Sequence, residues 1–233
     1  LGGIFISFGS HARIAIMQNF LELDMSLGSL LGDFVFPMGY ILVILSGAES
    51  FTGNNLMSLA TFTRKITFTS MLRNWIFVYL GNFLGAFVLA AVIVNTGILT
   101  DIGLELTLSL AHSKLSLSFS EAFYRGICCN ILVVLAVWLA TGAKDFVSKI
   151  LSCFFPIILY VLSGFENSIV NIYYFSLAFL QGFSYTWHQI ILANLIPVTL
   201  GNIIGGAVIV PLTFYFVFIK IGSYKEKGTD SLS

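Results

Sequence analysis

Two glutamates stand in matching surroundings within long apolar stretches of the chain. Glu49 and Glu166 each follow a glycine by two positions and precede an asparagine, Asn54 or Asn171, by five. A carboxylate in an apolar environment is costly unless it accepts hydrogen bonds. We therefore expect both glutamates to accept amide hydrogens that a helix break sets free, and both asparagines to cap the half-helices that follow. The positive N-terminal ends of such half-helices favour an anion or the oxygen of an acid.

The composition excludes a water-soluble globule. Of the 233 residues, 58% are hydrophobic and 9% are charged, and the mean hydropathy is +0.96. Soluble domains carry roughly 25% charged residues, so these charges cannot cover a soluble surface. The eleven basic and eleven acidic residues cancel, which leaves no basic face for nucleic acid. We therefore expect an all-α integral membrane protein that contacts the lipid bilayer and has no nucleic-acid partner.

Six apolar segments are long enough to cross a membrane as helices, which takes about 20 residues. They lie at 1–19, 31–63, 74–97, 118–141, 149–181 and 189–219. The second and fifth are too long for one straight helix, and each contains one of the two glutamates. We predict that both are broken there and resume as half-helices at about 55–63 and 172–181. The residues at 98–117 are interpreted as a long connection.

The placement of lysine and arginine predicts the orientation, because cytoplasmic loops carry an excess of these residues. With six spans, one side holds eight of the eleven basic residues and the other side holds three. We expect the richer side, with both termini, to face the cytoplasm across a plasma (inner) membrane. The chain is interpreted as one transmembrane domain at 1–221 with a polar cytoplasmic tail at 222–233. Leu1 lies inside an apolar run, so the first native residues are expected to precede it.

The two halves of the chain, about 1–97 and 118–220, repeat each other. The segment NWIFVYLGNFLG at 74–85 matches NLIPVTLGNIIG at 194–205, just as the two glutamate segments match. Each half holds three spans, so the halves must insert upside down relative to each other. Inverted repeats with a broken helix in each half are typical of transporters. A duplicated bundle without a pathway is the structural alternative, and the repeated glycines are interpreted as helix contact faces.

These motifs together resemble the formate/nitrite transporter family. The matching residues, in chain order, are FPMG at 36–39, GAESFTGNNLM at 47–57, NW…YLGNFLGA at 74–86, NILVVLAVWLA at 130–140, KILSCFFPI at 149–157, GFENSIVNIY at 164–173 and NLIPVTLGNIIGG at 194–206. The resemblance implies a homopentamer with an aquaporin-like fold. Each protomer would hold its own pore for small monovalent anions or their weak acids.

The resemblance also implies where the pore narrows. Phe51 and the loop threonine Thr52 match the constriction on the cytoplasmic side, and Phe36 and Tyr160 match the outer one. Asn130 matches the asparagine that partners the glutamate of the second break, Glu166. We interpret the glutamates and asparagines of the breaks, with Asn130, as residues that stabilise the loops.

Two lysines also match positions of the family. Lys114 falls near the lysine of the outer vestibule, and Lys149 matches a lysine at the inner end of the fifth span. Each is interpreted either as a residue that attracts anions or as a determinant of topology.

The chain departs from the family pattern at four pore positions. Asn167 stands where the family usually has histidine, and Ser50 stands where leucine commonly helps to close the inner constriction. Tyr40 and Tyr160 replace residues that are more often leucine and phenylalanine. The three histidines, His11, His112 and His188, are expected near outer ends of spans. A central imidazole proton relay is therefore not expected in this chain, and Asn167 would offer only hydrogen bonds.

The function that this sequence predicts is a channel for formate-class solutes, with nitrite, hydrosulfide, acetate and lactate as other candidates. We expect passage as the neutral protonated acid, and neither a cofactor nor a metal, because no Cys/His cluster is present. The first alternative is a neutral-solute pore for water or glycerol, although the chain lacks paired Asn-Pro-Ala turns. The second is an intramembrane enzyme, although no nucleophile with a neighbouring base is evident.

Overall fold

The computed structural model describes residues 1–20 and 24–220, and these residues are helical along almost their whole length. The helices are α1 (Gly2–Phe20), α2 (Met25–Val35), α3 (Pro37–Ser46), α4 (Phe51–Asn54), α5 (Met57–Phe62), α6 (Phe68–Thr96), α7 (Asp101–Leu115), α8 (Phe119–Gly142), α9 (Phe146–Leu162), α10 (Ser168–Leu180) and α11 (Trp187–Lys220). The predicted tail at 222–233 lies outside the described residues.

The helices confirm the predicted all-α class. Four helical stretches are long and apolar enough to cross a membrane: Met25–Ser46, Phe68–Thr96, Phe119–Gly142 and Trp187–Lys220. The first of these is α2 and α3 taken together, and α9 and α10 are shorter apolar helices. Such long apolar helices are suited to a bilayer, where a helix satisfies its own backbone groups.

Two sequence-based boundaries are wrong. The second segment begins at Met25 rather than at 31, because the Asp24 side chain accepts hydrogen bonds from two backbone amides and starts α2 there. The residues at 98–117 are not a plain connection, because α7 occupies most of them. Thr100 caps α7 by accepting a hydrogen bond from the Gly103 amide at 3.2 Å.

Both predicted helix breaks are present. Gly47 and Gly164 adopt φ angles of +72° and +68°, which only glycine takes without strain, and they end α3 and α9 respectively. The next helices begin at Phe51 and Ser168. The half-helices therefore start four residues earlier than the sequence predicted, because neither Asn54 nor Asn171 is the cap.

Helix α10 lies at the centre of the bundle. Every residue from Ser168 to Ala178 is buried, and Tyr173 and Phe175 are among the largest side chains with no exposed surface. A helix that is apolar on all sides must be enclosed by other helices. Here α1, α6 and α7 pack against it, so a helix of the second half is enclosed largely by two helices of the first half and by α7, which lies between the halves in the chain.

A polar contact between equivalent residues also joins the two halves. The Tyr79 hydroxyl in α6 and the Thr199 hydroxyl in α11 are 3.1 Å apart. The two residues occupy equivalent positions in the repeated segments: Tyr79 lies five residues after Asn74, and Thr199 lies five residues after Asn194. This contact therefore joins a residue to its counterpart in the other repeat.

The repeated glycines are only partly a helix contact face. In α11, a Cβ on Gly201 would collide with the backbone carbonyl of Phe123 in α8, and one on Gly205 with that of Ile127. In α6, a Cβ on Gly85 would lie 3.1 Å from the Ile4 amide nitrogen, whereas Gly81 has nothing within 4 Å. The second repeat therefore packs more closely than the first.

We expect Gly201→Ala to lower thermal stability. Overpacking of this kind costs about 1–3 kcal/mol, which exceeds the roughly 1 kcal/mol that alanine gains over glycine in a helix. The measurement is thermal unfolding in detergent, followed with a thiol-reactive dye because Cys129 and Cys153 are buried. Gly142→Ala is the control, since nothing lies within 4 Å of its Cβ position; equal melting temperatures for both variants would contradict the expectation.

Candidate functional site

The first helix break is closed by a network of hydrogen bonds that we call the first-break network. The Asn82 side chain accepts a hydrogen bond from the Phe51 amide at 2.9 Å and donates one to the Glu49 carbonyl oxygen at 3.0 Å. The side chains of Asn54 and Asn74 each donate to Glu49 Oε2 at 2.8 Å. Asn82 of α6 thus bonds the backbone on both sides of the break, and the Glu49 carboxylate holds the side chains of Asn54 and Asn74 in place.

The second break has the same arrangement, which we call the second-break network. The Asn202 side chain accepts from the Ser168 amide at 3.0 Å and donates to the Glu166 carbonyl oxygen at 3.0 Å. Asn171 donates to Glu166 Oε2 at 2.6 Å and to Asn194 Oδ1 at 2.8 Å. Each of these bonds has its counterpart in the first-break network, where Asn54 also donates to Asn74 Oδ1 at 2.8 Å, so the sequence repeat is also a structural repeat.

A lysine distinguishes the two networks. Lys114 Nζ lies 2.9 Å from Glu166 Oε1 and 3.0 Å from Oε2. Asn194 donates to the Lys114 carbonyl oxygen at 2.8 Å instead of to the glutamate. Glu49 is exposed, and within the described ranges 1–20 and 24–220 it has no basic side chain at ion-pair distance. The second break is therefore the one that holds a buried ion pair.

The glutamates do not act as the sequence predicted. Their side chains bind asparagine amides and, at Glu166, the lysine, whereas the broken backbone is satisfied by Asn82 and Asn202. A short asparagine on a neighbouring helix reaches both ends of the break at once, which one carboxylate with no donor cannot do. Both asparagines stand in the repeated Gly-Asn pairs of the sequence, so the repeat itself carried the signal for them.

Asn167 caps α10 in place of the predicted Asn171. Its side-chain oxygen accepts hydrogen bonds from the amides of Ile169 at 3.0 Å and Val170 at 3.5 Å. Asn167 is 3% exposed and lies beside Cys129. The residue at the unusual position in the sequence therefore holds the start of the central helix.

Among the described residues Asn130 forms no hydrogen bond with Glu166, so that predicted pairing is wrong. Its side chain donates to Asn55 Oδ1 at 2.8 Å and to the Asn202 carbonyl oxygen at 2.7 Å. A Cβ on Gly206 would collide with this amide group, so the glycine leaves the space that Asn130 occupies. Asn130 joins the half-helix region of the first break to α11, which carries part of the second-break network.

A cavity of about 190 Å³ opens next to the second-break network, and we call it the basic cavity. It is lined by Arg13, Phe36, Leu110, Ser113, Lys114, Arg125, Tyr160, Val161, Gly164, Phe165, Glu166, Val170 and Tyr174. The rings of Phe36 and Tyr160 meet edge to face with centroids 5.9 Å apart, and both residues are buried. The structure therefore brings the two predicted outer-constriction residues together at the wall of a cavity that carries basic side chains.

The predicted inner residues form a second buried group. The hydroxyls of Ser50 and Thr52 are 3.0 Å apart, and the Phe51 ring packs edge to face on Tyr79 at 4.9 Å between centroids. Tyr40 is buried with its hydroxyl beside Gly53, 2.7 Å from the position of a Cβ there. Hydroxyl groups and aromatic rings thus lie together in the region next to the first break.

Two groups of predicted residues lie elsewhere. Lys149 is in the first turn of α9 and does not line the basic cavity. His112 and His188 are near helix ends, as expected, but His11 is in the middle of α1 and partly buried. The expectation that all three histidines lie near ends of spans is therefore wrong for His11, since α1 continues for nine residues beyond it.

Comparison with known proteins identifies the family. The family model described as formate/nitrite transporter matches residues 1–216. The chain belongs to the formate/nitrite transporter family. Together with its long apolar helices, this membership makes the chain an integral membrane protein.

Relatives and solved structures agree with this assignment. The chain is 41% identical over 223 residues to the uncharacterized transporter YrhG of Bacillus subtilis, covering 94% of this chain and 83% of the relative. It is 39% identical over 222 residues to the formate channel BtFdhC of Bacillus thuringiensis, covering 94% and 85%. A solved structure described as a pentameric formate channel with formate bound matches with a TM-score of 0.82 at 30% identity, covering 94% of each chain.

We expect Asn82→Ala to destabilise the protein strongly. The substitution leaves the Phe51 amide and the Glu49 carbonyl without their partner, and each unsatisfied buried group costs about 1–3 kcal/mol. The control is Asn95→Ala on the same helix, because Asn95 is exposed and bonds only to its own helix at Ala91. A melting temperature of Asn82→Ala equal to that of the control would refute the role of Asn82.

Proposed function

We propose that this chain is a membrane channel for formate and related small monovalent anions or their weak acids. The observation that carries the proposal is the basic cavity with the Phe36–Tyr160 pair at its wall. The basic side chains attract an anion, and the two aromatic rings form a constriction that an ion cannot pass. The names of its relatives, which include formate channels, support the same solute class. Nitrite, hydrosulfide, acetate and lactate are the other solutes that such a pathway suits.

The solute passes the constrictions as the neutral acid. Moving an isolated carboxylate into an apolar medium costs tens of kcal/mol in the idealised limit. Protonating an acid of pKa about 4 at pH 7 costs roughly three times 1.36, or about 4 kcal/mol. Protonation is therefore the less costly route. The basic cavity holds the anion while desolvation raises its affinity for a proton from water.

The buried hydroxyls offer a route for the neutral acid. Beyond Phe36 and Tyr160, the acid meets Tyr40 and then the Ser50–Thr52 pair beside Phe51. These hydroxyls replace part of its hydration, while the rings exclude ions. Asn167 supplies hydrogen bonds but no proton, because a side-chain amide does not titrate; its oxygen already accepts from two amides of α10. In this chain the proton comes from water in the cavity and not from a side chain of the path.

The proposed architecture is six spans in two inverted halves with an aquaporin-like arrangement, the second and fifth spans being broken. The repeated break networks support the two halves, and the structure described as a pentameric formate channel supports a homopentamer with one pore per protomer. Both termini would be cytoplasmic in the plasma membrane, as the distribution of basic residues indicates. The basic cavity then faces outward, and the first-break network faces the cytoplasm.

Formate uptake into proteoliposomes should rise as the external pH falls from 7.5 to 5.5. Each pH unit raises the concentration of the neutral acid about tenfold while the acid stays mostly ionised. The measurement is uptake of labelled formate, with protein-free liposomes to subtract diffusion through the lipid. A protein-dependent rate that stays flat over this range would refute passage as the neutral acid. Swelling in uncharged polyols tests the neutral-solute alternative, which predicts polyol entry.

Asn167→His should introduce a titration into transport. Histidine is the side chain that changes charge most readily between about pH 5 and 8, so the pH profile of formate uptake should show an inflection that the parent lacks. The matched control is Asn167→Ser, because serine also caps a helix but does not titrate in this range. If the histidine variant is folded and has the parent's rates and pH profile, Asn167 does not border the path.

A further inference from the structure

Three cations line the basic cavity, and two of them are already neutralised. Arg13 forms an ion pair with Asp33, and Lys114 forms one with Glu166. The side chains of both basic residues are largely buried, with exposed fractions of 14% and 13%. A buried pair of this kind presents little net charge to an approaching ion, because the carboxylate lies as near as the cation.

Arg125 is the third cation, and its setting is different. It is exposed, and among the residues that the structure describes no carboxylate lies at ion-pair distance from it. Its carbonyl oxygen accepts a hydrogen bond from the Glu166 amide at 3.3 Å, which fixes its backbone beside the second break. Three cations against the two carboxylates of the ion pairs leave one positive charge, and that charge belongs to Arg125.

Glu121 is the acid nearest to Arg125 along α8, one turn earlier. Its carboxylate accepts hydrogen bonds from the amide and hydroxyl of Ser118 at 2.8 and 2.7 Å, which completes a capping box at the start of the helix. Glu121 interacts with Arg125 through its charge but makes no ion pair with it. It therefore weakens the field of Arg125 without occupying its guanidinium.

We propose that Arg125, rather than Lys114, is the residue that captures the anion at the basic cavity. This inference rests on the proposed function and names the residue that gives the cavity its attraction. The guanidinium presents a planar fork of donors that matches the two oxygens of a carboxylate, while an ammonium is a point charge. Capture by Arg125 therefore favours anions with two oxygens, such as formate, over single-atom anions such as chloride.

The test measures formate uptake by the full chain in proteoliposomes. Arg125→Gln should raise the formate KM about tenfold at low ionic strength and leave the maximal rate nearly unchanged, because electrostatic attraction acts before the constriction. The difference should shrink to less than about twofold at high salt, where exposed charges are screened. Lys144→Gln removes an equal charge from the exposed α8–α9 turn and is the control, with a KM close to that of the parent.

Two further variants separate charge from shape. Arg125→Lys keeps the charge but loses the fork, so it should restore the salt dependence while lowering the preference for formate over chloride as a competitor. Glu121→Gln removes the neighbouring negative charge, and glutamine retains the capping box. It should lower the formate KM, which is the opposite of the Arg125→Gln effect and cannot arise from a damaged fold.

The outcomes distinguish this inference from the proposed function. If the parent transports formate and Arg125→Gln has the parent's KM at low salt, the role of Arg125 is refuted and the channel assignment stands. If the parent transports no formate, the channel assignment fails. The role of Arg125 is then tested by formate binding, measured as a shift of the melting temperature. Added formate should then raise the melting temperature of the parent but not of Arg125→Gln; an equal shift in both would overturn the inference.

Discussion

Backbone groups left unpaired at the two helix breaks are the constraint on which this structure depends. Where such groups are buried away from water, each unsatisfied one costs several kcal/mol. The chain meets this cost twice in the same way, with one asparagine from a neighbouring long helix bonding both ends of each break. Because a side-chain amide reaches only about 3 Å to its partners, Asn82 and Asn202 fix the register of α6 and α11 against the half-helices. The positions of the surrounding aromatic and hydroxyl side chains follow from that register.

The asymmetry between the two breaks comes from α7. This helix has no counterpart in the sequence repeat, and it places Lys114 on the carboxylate of the second break. Removing one partner of such a buried pair typically costs 3–5 kcal/mol, because the other charge stays behind unpaired. Lys114 therefore stabilises the fold. Under the proposed function, the cation that attracts the solute is Arg125, which forms no ion pair among the described residues. The glutamate of the second break is therefore buried in an ion pair, whereas that of the first break is exposed.

Much of this arrangement was predictable from the sequence, because glutamate and asparagine are rare in apolar segments and their spacing from glycine repeats. The breaks at Gly47 and Gly164 and the meeting of Phe36 with Tyr160 follow from those patterns and from the family resemblance. The partners across space did not follow. An asparagine can donate and accept in several directions, so the sequence could not tell that Asn167 rather than Asn171 caps α10, or that Asn130 binds Asn55 rather than Glu166. The helical α7 was missed because its polar residues resembled those of a loop.

The contact between Tyr79 and Thr199 shows what joining the two repeats in one chain makes possible. Residues that contact their own counterparts lie on the axis of a symmetric pair, as at the centre of an isologous dimer. Two identical separate chains would place the same residue on both sides of that axis. Joined in one polypeptide, the two positions are free to differ, and a phenol faces a smaller aliphatic alcohol. Fusion of the halves thus permits a size match at the axis that identical subunits could not achieve.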